Sequence, residues 1–166
     1  MKKEGFPPMI NNDVEIIILG TMPGEKSICT GEYYANQTNQ FWKLIFHIFN
    51  SGIPVFNYEE KSKLLLKNKV GLWDVLSKAH RKGSLDSNIQ NEEFNDFEQL
   101  FNEYKNIKVL VFNGKKPAEY YFRNNNIVLQ EKQNHILPST SSANTTKTFD
   151  SKLKEWREVL TAIKNS

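Results

Sequence analysis

The sequence predicts an α/β fold built on a parallel sheet with helices covering both faces. Three observations carry this prediction. Four runs rich in β-branched and other apolar residues stand at intervals along the chain, at 14–19, 70–75, 107–112, and 135–137 with its neighbours. They have the length of strands, not of helices. The segments between them place apolar residues at helical spacing. Strands alternating with helices build parallel sheets, because a parallel pair needs a long crossover and a helix supplies it.

The helical segments follow in order. Residues 39–49 carry Phe41, Trp42, Ile45, Phe46 and Phe49 on their apolar positions. Residues 58–69 carry Leu64, Leu65 and Leu66, with Lys61, Lys63, Lys67 and Lys69 marking a solvated face. A third helix is predicted over 92–104, with Phe94, Phe97, Leu100, Phe101 and Tyr104 on one stripe. The last, 150–164, repeats Leu153, Trp156, Leu160 and Ile163, and Thr148 or Asp150 can cap it. No repeat, low-complexity tract or linker interrupts the chain. Residues 1–166 are therefore read as a single domain, a length that can bury one core.

Composition narrows the function classes. The chain has 22 basic and 19 acidic residues, a net charge of +3 that favours a polyanionic partner only weakly. The lone Cys29 excludes a disulfide framework, a four-thiolate cluster and a cysteine-based zinc site. His47, His80 and His135 lie far apart without ligand spacing, so neither metal nor cofactor is expected. The first residues have no apolar segment of signal-peptide length, and no apolar run of about 18 residues occurs. A soluble cytoplasmic protein without membrane contact is the expectation.

In an open parallel sheet, ligands bind outside the carboxyl ends of the strands. The loops after the first and last strands are accordingly the places to look. After the first comes Gly20-Thr21-Met22-Pro23-Gly24, a turn whose backbone N–H groups can approach a ligand closely. It is neither a Walker loop nor a dinucleotide fingerprint, since Lys26 lies two residues beyond Gly24 and the glycine spacing differs. No Gly-x-Ser-x-Gly elbow occurs either. Further on, Tyr33-Tyr34 sits in a polar loop, where large aromatics serve equally for stacking on a ligand and for packing. Asn39 stands where a helix should start. Its plain role is an N-cap, and its functional one is a carboxamide that orients a water or substrate. Asp74, at a strand end, is expected to cap a helix or accept a hydrogen bond behind the site.

Gly20-Thr21-Met22-Pro23-Gly24, Tyr33-Tyr34-Ala35 and Asn39-Gln40-Phe41-Trp42 together resemble the first motif of the hypoxanthine-DNA glycosylase family, a branch of the uracil-DNA glycosylase superfamily. Leu137-Pro138-Ser139-Thr140-Ser141-Ser142-Ala143-Asn144 resembles that family's loop after the last strand. Gly71-Leu72-Trp73-Asp74-Val75, Gly83-Ser84-Leu85-Asp86 and Val111-Phe112-Asn113-Gly114-Lys115-Lys116 resemble shorter family segments lying between them. The resemblance runs in order from about Ile18 to Trp156. It implies a three-layer α/β/α sandwich around a four-stranded parallel sheet, a monomer, and excision of a deaminated base flipped out of DNA.

The resemblance also assigns roles. Asn39 matches the family's catalytic Asn, as water-holder or donor to the leaving base; a neutral carboxamide is no general base. Met22 stands where the uracil-directed branch has a water-handling Asp, which argues against ordinary uracil chemistry. Gly20, Thr21, Met22 and Pro23 would line the pocket and Tyr34 would stack on the flipped base. Asn113 would read the base edge, and Ser139 replaces the His or Asn of other branches. Ser141, Ser142 and Asn144 would grip the DNA backbone, with Ala143 where other branches carry a bulky wedge. Lys115 and Lys116 would meet phosphates. Two departures from the family pattern stand out: Asn36-Gln37-Thr38 replaces His-Pro-Arg, and Ser142 replaces Pro. The alternatives on this reading are a uracil- or mismatch-directed glycosylase, or a nucleic-acid-binding module without catalysis.

Overall fold

The computed structural model describes residues 2–124 and 132–162. In chain order its elements are β1 (Lys2–Glu4), β2 (Ile16–Gly20), α1 (Glu25–Thr30), α2 (Phe41–Phe49), α3 (Tyr58–Lys67), β3 (Val70–Asp74) and β4 (Leu76–His80). A 3-10 turn, Asp86–Asn88, leads to β5 (Gln90–Phe94), α4 (Phe97–Glu103), β6 (Val109–Asn113), α5 (Lys115–Asn124), β7 (Gln133–Leu137) and α6 (Phe149–Ala162). The central sheet has the order β3-β2-β6-β7 with every pair parallel, as expected.

Alternation along the strands divides the core into two layers. Ile16 and Ile18 of β2 pack with Leu44, Ile45, Leu65, Trp156 and Leu160, from α2, α3 and α6. Ile17 and Leu19 face the other way, onto Phe97, Leu100, Phe101 and Tyr121 from α4 and α5. Because β2 is central and covered on both sides, its Ile16–Leu19 stretch is buried without a polar residue. At the edge, β7 is polar at Gln133 and Asn134, which is why only its last residues read as a strand.

The structure departs from the expectations at several points. A second sheet, β1-β4-β5, is antiparallel and had no counterpart in the sequence reading. Its strands are short and its β4–β5 register is irregular, so no clean period-2 pattern marks it. The helix predicted over 92–104 begins only at Phe97. Phe94 pairs with Leu76 in β5, and Asp96 caps α4 by accepting the Gln99 N–H at 3.0 Å. All five aromatic and Leu positions of the predicted stripe still reach one core cluster, which explains why they mimicked a single helix. Elsewhere α2 starts at Phe41 and α3 stops at Lys67, ahead of Lys69 at φ 64°. Thr148 does cap α6, accepting the Ser151 N–H at 3.1 Å; Ile163 and Lys164 lie outside the described residues.

Candidate active site

The carboxyl ends of all four parallel strands converge on one cavity of about 430 Å³. The connections out of β2 and β3 place β3 on one side of β2 and β6 on the other. This is the switch point at which open α/β sheets form a crevice. Gly20, Thr21, Met22 and Pro23 enter the wall from β2, Asp74 from β3 and Asn113 from β6. Ser139, Thr140, Ser141, Ala143 and Asn144 enter from the loop after β7. Tyr34 and Asn39 come from the long loop after α1, and Asp86 from the 3-10 turn.

A side-chain network fixes the polarity of the pocket. The Asn39 Oδ1 accepts two hydrogen bonds, from the Phe41 N–H at 2.9 Å and the Thr140 hydroxyl at 2.8 Å. A backbone N–H can only donate, so the carboxamide orientation is determined: oxygen toward the protein, amino group elsewhere. Among the described residues, nothing accepts from the Asn39 Nδ2. Asn39 thus performs a capping task without being the N-cap, which is Gln40. Asn113 donates from Nδ2 to the Thr140 Oγ1 at 2.9 Å and to the Tyr34 hydroxyl at 3.2 Å. Its Oδ1 accepts the Thr140 N–H at 2.9 Å. Both donors of Asn113 are therefore engaged within the protein. Thr140, fully buried, is the hub that joins Asn39 to Asn113.

Tyr34 holds a left-handed backbone, φ 55°, and lies stacked on Phe41 with ring centroids 4.0 Å apart. Burial pushes its phenol well above the usual range. Tyr33 belongs to the core instead. Its hydroxyl donates to the Pro7 carbonyl at 2.9 Å, and its carbonyl accepts the Trp42 indole at 2.9 Å. Gly20 is small for a reason: a Cβ there would lie 2.7 Å from the Asp74 Oδ1 and 3.3 Å from the Tyr34 hydroxyl. Met22 is buried, at 7% exposure, within the α4–α5 side of the core.

Asp74 overturns the helix-cap expectation. It ends β3 at 5% exposure, no helix follows it, and its Oδ2 has no hydrogen-bond partner among the described residues. Burial and then the Asp86 carboxylate push its pKa up to about 7, with Arg81 acting in opposition. Asp86 accepts the Thr21 hydroxyl at 2.9 Å and lies 3.7 Å from the Arg81 guanidinium. Burial raises the Asp86 carboxyl as well, partly offset by that hydroxyl, by Arg81 and by Lys116. Arg81, 2% exposed, donates to the Pro23 carbonyl and, at 2.9 Å, to that of Gly83. It thereby ties the first motif to the segment before the 3-10 turn.

The loop after β7 is held from both ends. Gly114, at φ 97°, lets Ser139 pass so closely that a Cβ would sit 3.2 Å from the Ser139 Cβ. The Ser139 Oγ accepts the Ser141 N–H at 3.2 Å, and the Ser141 Oγ accepts that of Ala143 at 3.2 Å. Asn144 donates to the Ser139 carbonyl at 3.2 Å. The two departures from the family pattern touch each other: the Ser142 hydroxyl donates to the Thr38 Oγ1 at 3.2 Å. Behind them Lys152, 1% exposed, joins the Gln40 side chain and the Asn144 carbonyl, each at 3.0 Å.

Lys115 and Lys116 are exposed at the start of α5, Lys116 with Glu119 at 3.3 Å. They line a second cavity of about 550 Å³ that shares Asp86, Asn113, Ser139 and Asn144 with the first. The groove so formed runs from the pocket past a basic rim.

The candidate site residues named from the sequence thus lie in or beside this crevice. Missed were Thr140, although it stands inside the quoted loop motif, and Arg81 with Asp86. Gly83-Ser84-Leu85-Asp86 carried a resemblance, but nothing in sequence brings Asp86 to Thr21. Among the described residues, no group of three or more His, Cys, Asp and Glu could hold a metal ion, and no helix is long and apolar enough to cross a membrane.

Comparison with known proteins agrees with the geometry. The model of the uracil DNA glycosylase superfamily matches residues 7–163. A hypoxanthine DNA glycosylase of Methanosarcina barkeri is 43% identical over 120 residues, 72% of this chain and 76% of the relative. A hypoxanthine DNA glycosylase of Methanosarcina acetivorans is 40% identical over 144 residues, 87% of this chain and 89% of the relative. The solution NMR structure of a candidate uracil DNA glycosylase from Methanosarcina acetivorans superposes with a TM-score of 0.84 at 36% identity, covering 99% of each chain. The family match over nearly the whole chain, on a fold whose pocket lies where its motifs fall, places this chain in the uracil DNA glycosylase superfamily.

Proposed function

We propose that the chain is a DNA repair glycosylase that hydrolyses the N-glycosidic bond of flipped hypoxanthine in DNA. It acts as one domain over residues 1–166, as a cytoplasmic monomer, and needs neither metal nor cofactor. The observation that carries the reading is the fixed carboxamide of Asn39 in a pocket where Met22 takes the place of a water-handling acid. Breaking the bond leaves electron density on the base and oxocarbenium character on the sugar. The free amino group of Asn39 suits the first, as a donor to the departing base or to the attacking water's oxygen. The two relatives named hypoxanthine DNA glycosylase support the choice of base.

Tyr34 offers a ring for the flipped base, with Phe41 stacked against it as support. Asn113 contributes by holding Thr140 and Tyr34, and its Oδ1 retains a lone pair for the base edge. Gly20, Thr21, Pro23 and Ser139 close the walls. Purified protein offered duplexes with hypoxanthine, uracil, xanthine or a thymine mismatch, followed by alkali, should yield strand breaks at hypoxanthine, with uracil much slower. Release of uracil without hypoxanthine would overturn the choice of base.

Ser141, Ser142, Ala143 and Asn144 on one rim and Lys115 and Lys116 on the other would receive the DNA backbone. Affinity should then fall with salt, with a log–log slope of roughly −0.9 per phosphate neutralised. Replacing Lys115 and Lys116 together by Ala is expected to reduce that slope by about 1–2 and to weaken all sequences alike. An unchanged slope in a salt titration would place the DNA elsewhere.

A further inference from the structure

We propose that Asp74 is the proton donor to the departing purine, a role that rests on the hypoxanthine reading above. Most polar groups of the pocket have partners. Asn113, Thr140, Thr21 and the Asp86 Oδ2 hydrogen-bond within the protein. Among the described residues, nothing accepts from the Asn39 amino group, and the buried Asp74 Oδ2 has no hydrogen-bond partner. A buried carboxyl oxygen without a partner is costly in a native structure and needs an explanation. Asp74 belongs to a pocket wall, and no side chain intervenes at Gly20, where a Cβ would lie 2.7 Å from the other carboxyl oxygen, Oδ1.

The surroundings favour the protonated carboxyl. Burial acts first, the negative charge of Asp86 adds to it, and Arg81 opposes. Arg81 is drawn off by two carbonyls and by Asp86, and Lys116 acts on Asp86. The result is a carboxylic acid that titrates near pH 7, where a general acid works best.

The chemistry balances without another reagent. The Asp74 proton passes to the purine N7, the C1′–N9 bond breaks, and its electron pair stays on the base. Hypoxanthine leaves as the neutral N7–H tautomer. Water adds to C1′, and the proton it loses restores Asp74 directly or through solvent. A pyrimidine has no N7, so the same acid gives uracil no comparable help.

The test combines a pH–rate profile with a substrate that cannot be protonated at that position. Single-turnover release of hypoxanthine by the unaltered chain should fall about tenfold per pH unit above about 7. Asp74→Asn should lower the rate at pH 6 by about 10²-fold or more and flatten the profile. A duplex carrying 7-deazahypoxanthine should reduce the unaltered chain to about the rate of that variant, and should cost the variant nothing further. A merely structural Asp74 would leave the variant as sensitive to the deaza substitution as its parent.

Stability provides the control. A carboxyl raised in the folded state contributes stability below its unfolded pKa of about 3.9 and loses it as pH rises through about 7. Asp74→Asn should therefore flatten the fall in Tm between those values and remain folded at pH 8. Should the variant not fold, the deaza substrate with the unaltered chain still decides. Hypoxanthine release that is independent of pH, or equal from the deaza duplex, would overturn the role of Asp74 and leave the enzyme a hypoxanthine glycosylase. No hypoxanthine release at any pH would overturn both.

Discussion

Asn39→Asp is expected to lower the single-turnover rate of base release by about 10²–10³-fold, the effect of losing one preorganised donor at a site of developing charge. The substitution keeps an oxygen that accepts from the Phe41 N–H and the Thr140 hydroxyl, so the start of α2 should stay capped. It replaces the amino group by a second, ionisable oxygen, and the donor is lost. Asn39→Ala removes the capping oxygen as well, and should add about 1–2 kcal/mol of destabilisation to the same loss of rate. Binding of undamaged duplex should survive in each, because the donor acts chiefly in the transition state. Thermal melts and single-turnover kinetics on the two variants separate the capping oxygen from the chemical amino group. An Asn39→Asp protein that excises at the parental rate would remove Asn39 from the mechanism.

The largest stability effect should come from Trp156→Ala, at about 3–5 kcal/mol. Trp156 is fully buried between α6, α2 and the sheet, edge-on to Phe41 at 6.3 Å between centroids. Its indole also donates to the Pro138 carbonyl at 2.9 Å, at the root of the loop that lines the pocket. For a chain of this size the loss corresponds to a fall in Tm of about 6–20 °C. Trp156→Phe keeps most of the packing and lacks the donor, so it should cost about 1–2 kcal/mol. Chemical denaturation of the two variants checks the order. Equal midpoints for Trp156→Ala and the parent would mean that α6 is not part of the cooperative core.

The fold was legible where burial on both faces wrote it into composition. Strands β2, β3 and β6 are apolar nearly throughout, because helices cover both sides of the sheet. The antiparallel strands β1, β4 and β5 were illegible for the opposite reason. Residues such as Lys78, Gln90 and Glu93 form one thin layer with an irregular register, and short polar runs of this kind read as loop. Helix α4 was extended backwards through Phe94 because β5 and α4 deliver their aromatics to the same cluster.

The candidate site divides in the same way. Its two long loops were visible because Gly-Thr-Met-Pro-Gly and Pro-Ser-Thr-Ser-Ser are unusual strings directly after strands, and strand ends are where such folds bind. The sheet, the strand ends that meet at the crevice and the residue types offered there can be read from the order of residues alone. How those residues are engaged emerges once the chain is folded. Asn39 could be cap or catalyst until Phe41 and Thr140 were seen to take its oxygen, which shows the capping task and leaves the amino group free for the proposed chemistry. Asp74 could be an ordinary strand-end carboxylate until burial, Asp86 and the bare Gly20 were seen around it. The reason is physical: hydrogen-bond polarity and carboxyl protonation depend on neighbours within a few ångströms, and here those neighbours come from distant parts of the chain.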